Sequence, residues 1–357
     1  KTKTDDIKRV VKHSSEIRNR PNNLRNITID KASKMPTLED FLGGEIPQGF
    51  MAVKDFRQYK PGDGIPVSQP TYVFLAYDSQ NLYVVFACHE EPKKVRGRMS
   101  KREDFSDDDS VTVYIDTFND GQSAYYFKMN PLGIQADGLS TPEGGDGRFD
   151  TVCYSDVRIN ENGYIVLFTI PFRSLRFSKD SEQIWGIAFE RRIEEKNELS
   201  YWPYLTQRQS SFLQQLGTLE GLSDISPGRN IQIIPYVKYI NAKLLDEDVK
   251  DYDYEDDFRI GLDMKIVYNN AHTFDLTYNP DFSQVESDDP QITVNRRFEV
   301  SFPEKRPFFI ENISYFETPL KLLHNRRIVD PEFGGRMTGK INRWNYGFFT
   351  IDDRAEG

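Results

Sequence analysis

Long apolar runs are missing from these 357 residues. No stretch of about 18 or more apolar residues occurs, which excludes a membrane-spanning helix. No hydrophobic signal segment opens the sequence, so the chain is expected to be cytosolic or to begin after signal cleavage. A basic excess is missing as well. The formal net charge is −10 at pH 7, and general nucleic-acid binding needs a cationic face instead. Cysteine is scarce: Cys88 and Cys153 both sit in apolar, strand-like runs and read as buried free thiols rather than a disulfide. Alanine- and leucine-rich periodic stretches are absent, as are a Gly-rich phosphate loop, HExxH and CxxC. The four histidines (His13, His89, His272, His324) are scattered, and no Ser-His-Asp order can be drawn. With 56 acidic residues a carboxylate pair could always be nominated, so glycoside hydrolysis gains nothing from their presence. No catalytic residue is assigned.

What is there favours β structure. Aromatics make up 13% of the chain. Tyr, Phe, Val, Ile and Thr recur in short runs between Gly, Pro, Asn and Asp. Residues 1 to about 25 are basic and aperiodic and read as a flexible leader. From 26 to 222 short strands and turns recur. "TYVFLAYDSQNLYVVFACHEE" reads as a hairpin around Asp78-Ser79-Gln80-Asn81. In "SVTVYIDTF", Val111, Val113 and Ile115 share one face, and Thr112, Tyr114 and Asp116 the other. "AYYFKMN" pairs with "GIQADG" around Asn130-Pro131-Leu132-Gly133, and "DVRINENGYIVLFTIP" turns at Glu161-Asn162-Gly163. "IWGIAFERRI" adds a strand, and one short helix is expected around Pro171 to Leu175. Regular spacing of this kind points to an antiparallel sandwich.

From 223 to 357 the texture changes. Ile260, Leu262, Met264, Ile266 and Tyr268 share one face, and Gly261, Asp263, Lys265 and Val267 the other. Phe274, Leu276 and Tyr278 likewise oppose Thr273, Asp275 and Thr277. Apolar-out, polar-in alternation with aromatic ends fits outer-membrane barrel strands, and a one-sided sheet over a soluble core equally well. "LDEDVKDYDYEDD" reads as a solvated hairpin loop, with a calcium site as the sharper alternative. "GGRMTGKINRWNYGFFTIDD" makes a hairpin turning near Asn342 to Asn345. Five or six strands after 228 are fewer than the eight a barrel needs, so a barrel here would be incomplete in this chain.

An ordered series of segments then gains meaning. "TYVFLAYDSQNLYVVFAC", "DDDSVTVYIDTFNDGQSAYYFKMNPLGIQADG", "IPFRSLRF", "WGIAFERRIEEKNELSYW", "GTLEGL", "NPDFSQVESD", "RRFEVSFPEKRPFFIEN" and "RRIVDPEFGGRMTGKINRWNYG" run from about 45 to 355. Together they resemble a bacterial outer-membrane β-barrel family of unknown function, whose N-terminal domain is like carbohydrate-binding module family 9. The resemblance implies an all-β protein in the outer membrane of a Gram-negative bacterium: a periplasmic β-sandwich followed by the first strands of a barrel. It implies no reaction. The Pro-Glu-Lys-Arg-Pro-Phe-Phe segment would then be a rigid turn or lumen-lining element, with Arg297, Glu299, Glu304, Lys305 and Arg306 as an ion-pair network or plain buttress.

Sugar binding needs an aromatic face for the pyranose ring and polar groups at its rim. In sugar-binding members of the resembled family, paired tryptophans clamp the sugar. This sequence departs from that pattern, since no Trp precedes Trp185. Trp185 reads as core. Trp202, in "YWPY", reads as loop-borne and is the stacking candidate, with Arg192, Glu198, Arg102 and Asn130 as polar candidates. Their bland roles are turn capping and strand pairing. Asp107 and Asp109, with Asp108 between them, are candidate calcium ligands, calcium being a cofactor known in the resembled family. His89 reads as a surface histidine. Three functions stay open: a glycan-binding or partner-docking sandwich beside a barrel in lipid, a hydrolase of a surface polysaccharide, and a structural plug or assembly component of an outer-membrane complex.

Overall fold

The computed structural model describes residues 25–42, 46–102, 105, 107–141, 144–146, 151–178, 180–209, 211–226, 231–246, 251–268, 272–280, 308, 316, 328, 331–341 and 344–354. The expected leader, residues 1 to 24, and the charged cluster at 297–306 lie outside them. The chain divides into two compact units, Lys1–Gly228 and Arg229–Gly357.

The first unit holds β1 (Asn26–Thr28), β2 (Met51–Val53), β3 (Arg57–Lys60), β4 (Thr71–Tyr77), β5 (Asn81–His89), β6 (Ser110–Asp116), β7 (Ala124–Met129), β8 (Gln135–Thr141), β9 (Gly144–Asp146), β10 (Tyr154–Asn160), β11 (Gly163–Pro171), β12 (Glu182–Ile193), β13 (Glu198–Trp202) and β14 (Gly217–Ser223). Among the described residues these form two sheets. One runs β1-β14-β12-β6-β7-β8-β9, with β13 bridging β12 to β3; the other runs β10-β11-β5-β4-β2. All pairs are antiparallel except β1 with β14.

Alternation explains the layering, because successive side chains point to opposite faces. Val111, Val113 and Ile115 are fully buried between the sheets with Val84, Phe86, Val166, Phe168, Trp185, Ile187 and Phe189. A smaller cluster of Leu38, Phe41, Phe50, Phe74, Tyr83 and Leu167 covers the outer side of the second sheet. Asp78 closes the β4–β5 hairpin by accepting the Gln80 and Asn81 N–H groups at 2.7 Å each. Gly163 ends the β10–β11 turn at φ +134°, where a Cβ would lie 2.1 Å from the Cys88 carbonyl oxygen, so only glycine fits.

Three local expectations change. The helix near Pro171 is a single 3-10 turn, Phe172–Ser174, and a short α-helix, Glu39–Leu42, joins it. Cys153 lies just before β10 and is only partly buried, while Cys88 is buried mid-sheet; both are free. Burial pushes the Cys88 thiol up to about 11.

The second unit is an open meander, β15 (Ile231–Asp246), β16 (Asp251–Tyr268), β17 (His272–Tyr278), β18 (Pro331–Ile341) and β19 (Trp344–Asp353), paired in chain order. The acidic block is not wholly a loop, and its residues 247–250 lie outside the described residues. Pairing continues to Asp246 opposite Asp251, so most of the block is strand, because backbone bonding does not need an apolar face. Tyr268 faces His272 and Ile341 faces Trp344 across two short turns, and β15 starts at that same end, with Ile231 opposite Ile266.

Burial in this sheet is inverted. Thr273, Thr338, Thr277, Arg336 and Asp275 are 0–6% exposed. On the opposite face Ile231, Ile233, Val237, Ile260, Leu276, Phe348 and Trp344 are 47–75% exposed. On the polar side the Arg336 Nε and Nη2 donate to Asp275 Oδ2 at 3.0 and 2.7 Å, and Thr277 Oγ1 donates to Asp263 Oδ1 at 2.6 Å. The Phe308 carbonyl accepts from Arg336 Nη1, and its ring lies 5.2 Å from the guanidinium carbon. Gly334 permits that approach, since a Cβ there would stand 3.1 Å from the Phe308 ring.

Candidate functional site

On the side of β12, β6 and β7 that faces away from the core, the alternate residues around the middle of the sheet include a polar and aromatic set. Register sets them in rows. Tyr201, Glu190, Thr112, Lys128 and Ala136 run across β13, β12, β6, β7 and β8. In the adjacent row lie Ala188, Tyr114, Tyr126 and Gly138. Small residues at both ends of that row leave space over the two tyrosines.

Glu190 organises the floor. Its Oε2 accepts from Tyr201 Oη at 2.6 Å and Tyr114 Oη at 2.9 Å, and its Oε1 from Thr112 Oγ1 at 3.3 Å. Burial, reinforced by the Glu190 charge, holds the Tyr114 and Tyr201 hydroxyls far above the usual tyrosine pKa, so both stay donors. The Phe212 ring, 4.8 Å from Tyr114 and 5.7 Å from Tyr201, walls one side. Tyr126 is half-buried, with its ring 6.2 Å from that of Tyr114. Lys128 is also half-buried, its ammonium 4.9 Å above the Phe105 ring, and desolvation lowers its pKa. Arg192 stands in the next row of β12, its Nη1 donating to Glu194 Oε2 at 3.2 Å. The result is a half-open aromatic floor with a fixed carboxylate and two cations at its edge.

Of the residues expected from sequence, Arg192 alone stands on this face. Trp202 is a correction: it closes β13 rather than sitting in a loop, is 8% exposed, and stacks on Phe189 at 5.7 Å and 29°. Strand alternation turns it, with Glu198, toward the opposite side from Tyr201. Glu198 is 3% exposed and ties down the β3 region, accepting from Gln58 Nε2 and Ser68 N at 3.1 Å each. Asn130 is fully buried and caps its turn, accepting from Leu132 N and Ile134 N and donating to Asp108 Oδ2. Arg102 pairs with Asp137, away from the face. The expected convergence of Glu198, Arg102 and Asn130 with Arg192 does not occur. Trp185 is core, with its Nε1 donating to Gln183. His89 is partly buried, edge-on to Tyr72, and burial lowers its pKa.

The calcium pair also separates. Asp107 is exposed beside Arg98, whereas Asp109 is fully buried and accepts the Arg96 and Glu194 N–H groups at 2.7 Å each. Among the described residues no three His, Cys, Asp or Glu side chains gather as a metal would require. A separate open groove of about 350 Å³ is lined by residues including Lys54, Asp55, Arg57 and Tyr72.

Sequence reasoning missed Glu190, Tyr114, Tyr126, Lys128 and Phe212. The signal was present for the strand residues: polar or aromatic side chains at alternate positions of three strands whose other faces are mainly apolar.

The fold of the first unit is a two-sheet, largely antiparallel β-sandwich. Residues 71–200, spanning most of the face, match a family model described as carbohydrate family 9 binding domain-like. Residues 227–342 match a model described as a domain of unknown function (DUF5916). Three similar solved structures are a carbohydrate binding module family 9 from Caldicellulosiruptor kristjanssonii with cellotriose (15% identity, TM-score 0.38, 56% of this chain and 95% of that one), the same kind of module with glucose (14%, 0.38, 56% and 97%), and a putative carbohydrate-binding protein from Bacteroides uniformis (12%, 0.43, 55% and 98%). No curated protein matches.

Proposed function

We propose that the first unit binds a glycan on the β7–β6–β12 face, within an outer-membrane protein whose second unit is part of a membrane β-barrel. The observation carrying the glycan reading is the floor itself. Tyr114 and Tyr126 give flat apolar area, and Glu190 fixes the Tyr114 and Tyr201 hydroxyls beside it. Sugar rings present one apolar face and an equatorial fringe of hydroxyls, so aromatic area with charged groups at the rim fits them. The family-9-like match over residues 71–200 supports the same reading. Glycan-array binding of the full-length protein tests it. Tyr126→Ala should weaken binding by on the order of 1–3 kcal/mol, by analogy with base–aromatic stacking. Absence of binding to any glycan would remove the reading.

The inverted sheet supports the membrane half. Ten residues separate Phe258 from Tyr268 on its apolar face. At about 3.4 Å each and a tilt of about 40°, they rise about 26 Å, against about 25 Å for the apolar belt of such barrels. Tyr239 and Phe258 mark one end, and Tyr268, Tyr346 and Trp344 the other, in the manner of aromatic girdles. Short turns of these barrels face the periplasm. β15 starts at the short-turn end, and this supports a periplasmic side for the chain entering the sheet. Buried polar residues on the other face are then lumenal.

A further inference from the structure

Donors and acceptors on the sandwich face do not balance. Each carboxylate near Lys128 already accepts from the protein. Glu190 takes three hydroxyls. Asp108 takes Arg98 Nε at 3.2 Å, Arg98 N at 3.1 Å and Asn130 Nδ2 at 2.9 Å. Glu194 takes Arg192 Nη1. Two donors are left over. The Lys128 ammonium has only the Phe105 ring beneath it among the described residues. The Arg192 Nε is buried without a hydrogen-bond partner. Of the two, the Arg192 Nε is the buried one, and a buried donor left unmatched is costly and is ordinarily completed by something.

The two leftover donors are cations, and they repel. The Arg192 charge adds to desolvation in lowering the Lys128 pKa, against the opposing pull of Glu190, Asp108 and Glu194. A neutral hydroxyl would accept a hydrogen bond there but leave the repulsion in place. An oxyanion would match both donors and offset both charges. Register supports a shared ligand: Lys128 lies opposite Thr112 and Arg192 opposite Ser110, two positions apart on β6, so the side chains flank that strand on one face.

We propose that the glycan bound on this face is acidic, and that Lys128 and Arg192 together receive a carboxylate, sulfate or phosphate group carried on the sugar. This rests on the glycan-binding reading above and adds the ligand's charge class to it. Lysine supplies a compact point charge and arginine a planar donor, with Tyr126 adjacent to Lys128 along β7 for the ring that bears the group.

The test titrates the full-length protein with disaccharides bearing glucuronate, a sulfate ester or a phosphate ester, each beside its uncharged counterpart. The expected result is at least tenfold tighter binding of an acidic member, and the three arms show which oxyanion is preferred. Lys128→Met should cost the acidic member at least tenfold more affinity than its neutral counterpart, and Lys128→Arg should restore most of that difference. Raising salt should weaken only the acidic partner. Equal affinity for charged and neutral members would overturn the inference and leave the glycan reading standing. So would an equal loss for both in Lys128→Met. Failure of every probe, charged or neutral, would overturn both.

Discussion

Placing an arginine at Met264 separates a sheet in lipid from a sheet in water. Met264 lies on the apolar face of β16, four residues from Tyr268 and six from Phe258, near the middle of that stretch. Its cross-strand neighbours are Ile233 and Leu276. If this face meets lipid, a guanidinium here sits near the bilayer midplane and costs about 2–4 kcal/mol. That is roughly a 30- to 700-fold shift in the folding equilibrium, at about 1.4 kcal/mol per tenfold. The same substitution at Tyr268, at the end of the stretch, should cost about 0–1 kcal/mol, because the side chain reaches headgroups and water. On a water-facing surface both changes would stay within about 0.5 kcal/mol. The assay is denaturant titration of the full-length protein in phospholipid vesicles, read by tryptophan fluorescence. A depth gradient between the two positions is the expected outcome. Equal, small effects at both would place this sheet in water and end the barrel reading.

Two further outcomes follow from the sandwich. Arg191 is fully buried and donates to Pro70 O, Thr71 Oγ1, His89 O and Glu90 Oε2 at 2.9–3.0 Å; Arg191→Met leaves Glu90 buried without its partner and should cost about 3–5 kcal/mol in chemical unfolding. Trp202→Ala should cost about 3–5 kcal/mol of stability through lost packing on Phe189, with glycan affinity of the folded fraction unchanged; a selective affinity loss at full stability would return Trp202 to the binding site.

How far the sequence can be read depends on period. Strand alternation is local, so the order of residues alone puts Val111, Val113 and Ile115 on one face, and they are buried together. The faces of β16 and β17 are legible for the same reason, and the polar side of β17 is the buried one. Site residues are harder. Glu190, Thr112 and Lys128 are neighbours only because β12, β6 and β7 pair in that register, and β12 follows β6 by some seventy residues. Pairing across such a separation leaves no mark in a single sequence. Trp202 misleads because "YWPY" reads as a turn, whereas the turn follows the tryptophan and the ring belongs to the last residue of β13. Asn130, Glu198 and Asp109 stand out in the sequence as polar residues at strand ends. Asn130 caps its own turn, whereas the burial of Glu198 and Asp109 against backbone N–H groups depends on segments arriving from distant positions.

A crystal structure of the protein with a bound glycan would locate the sugar. The expected result is a sugar ring over Tyr126 and Tyr114, with atoms within about 4 Å of Tyr126 and within hydrogen-bond reach of Lys128 or Arg192. A sugar held instead in the groove beside Tyr72 and Arg57, or at the Trp202 end of β13, would contradict it.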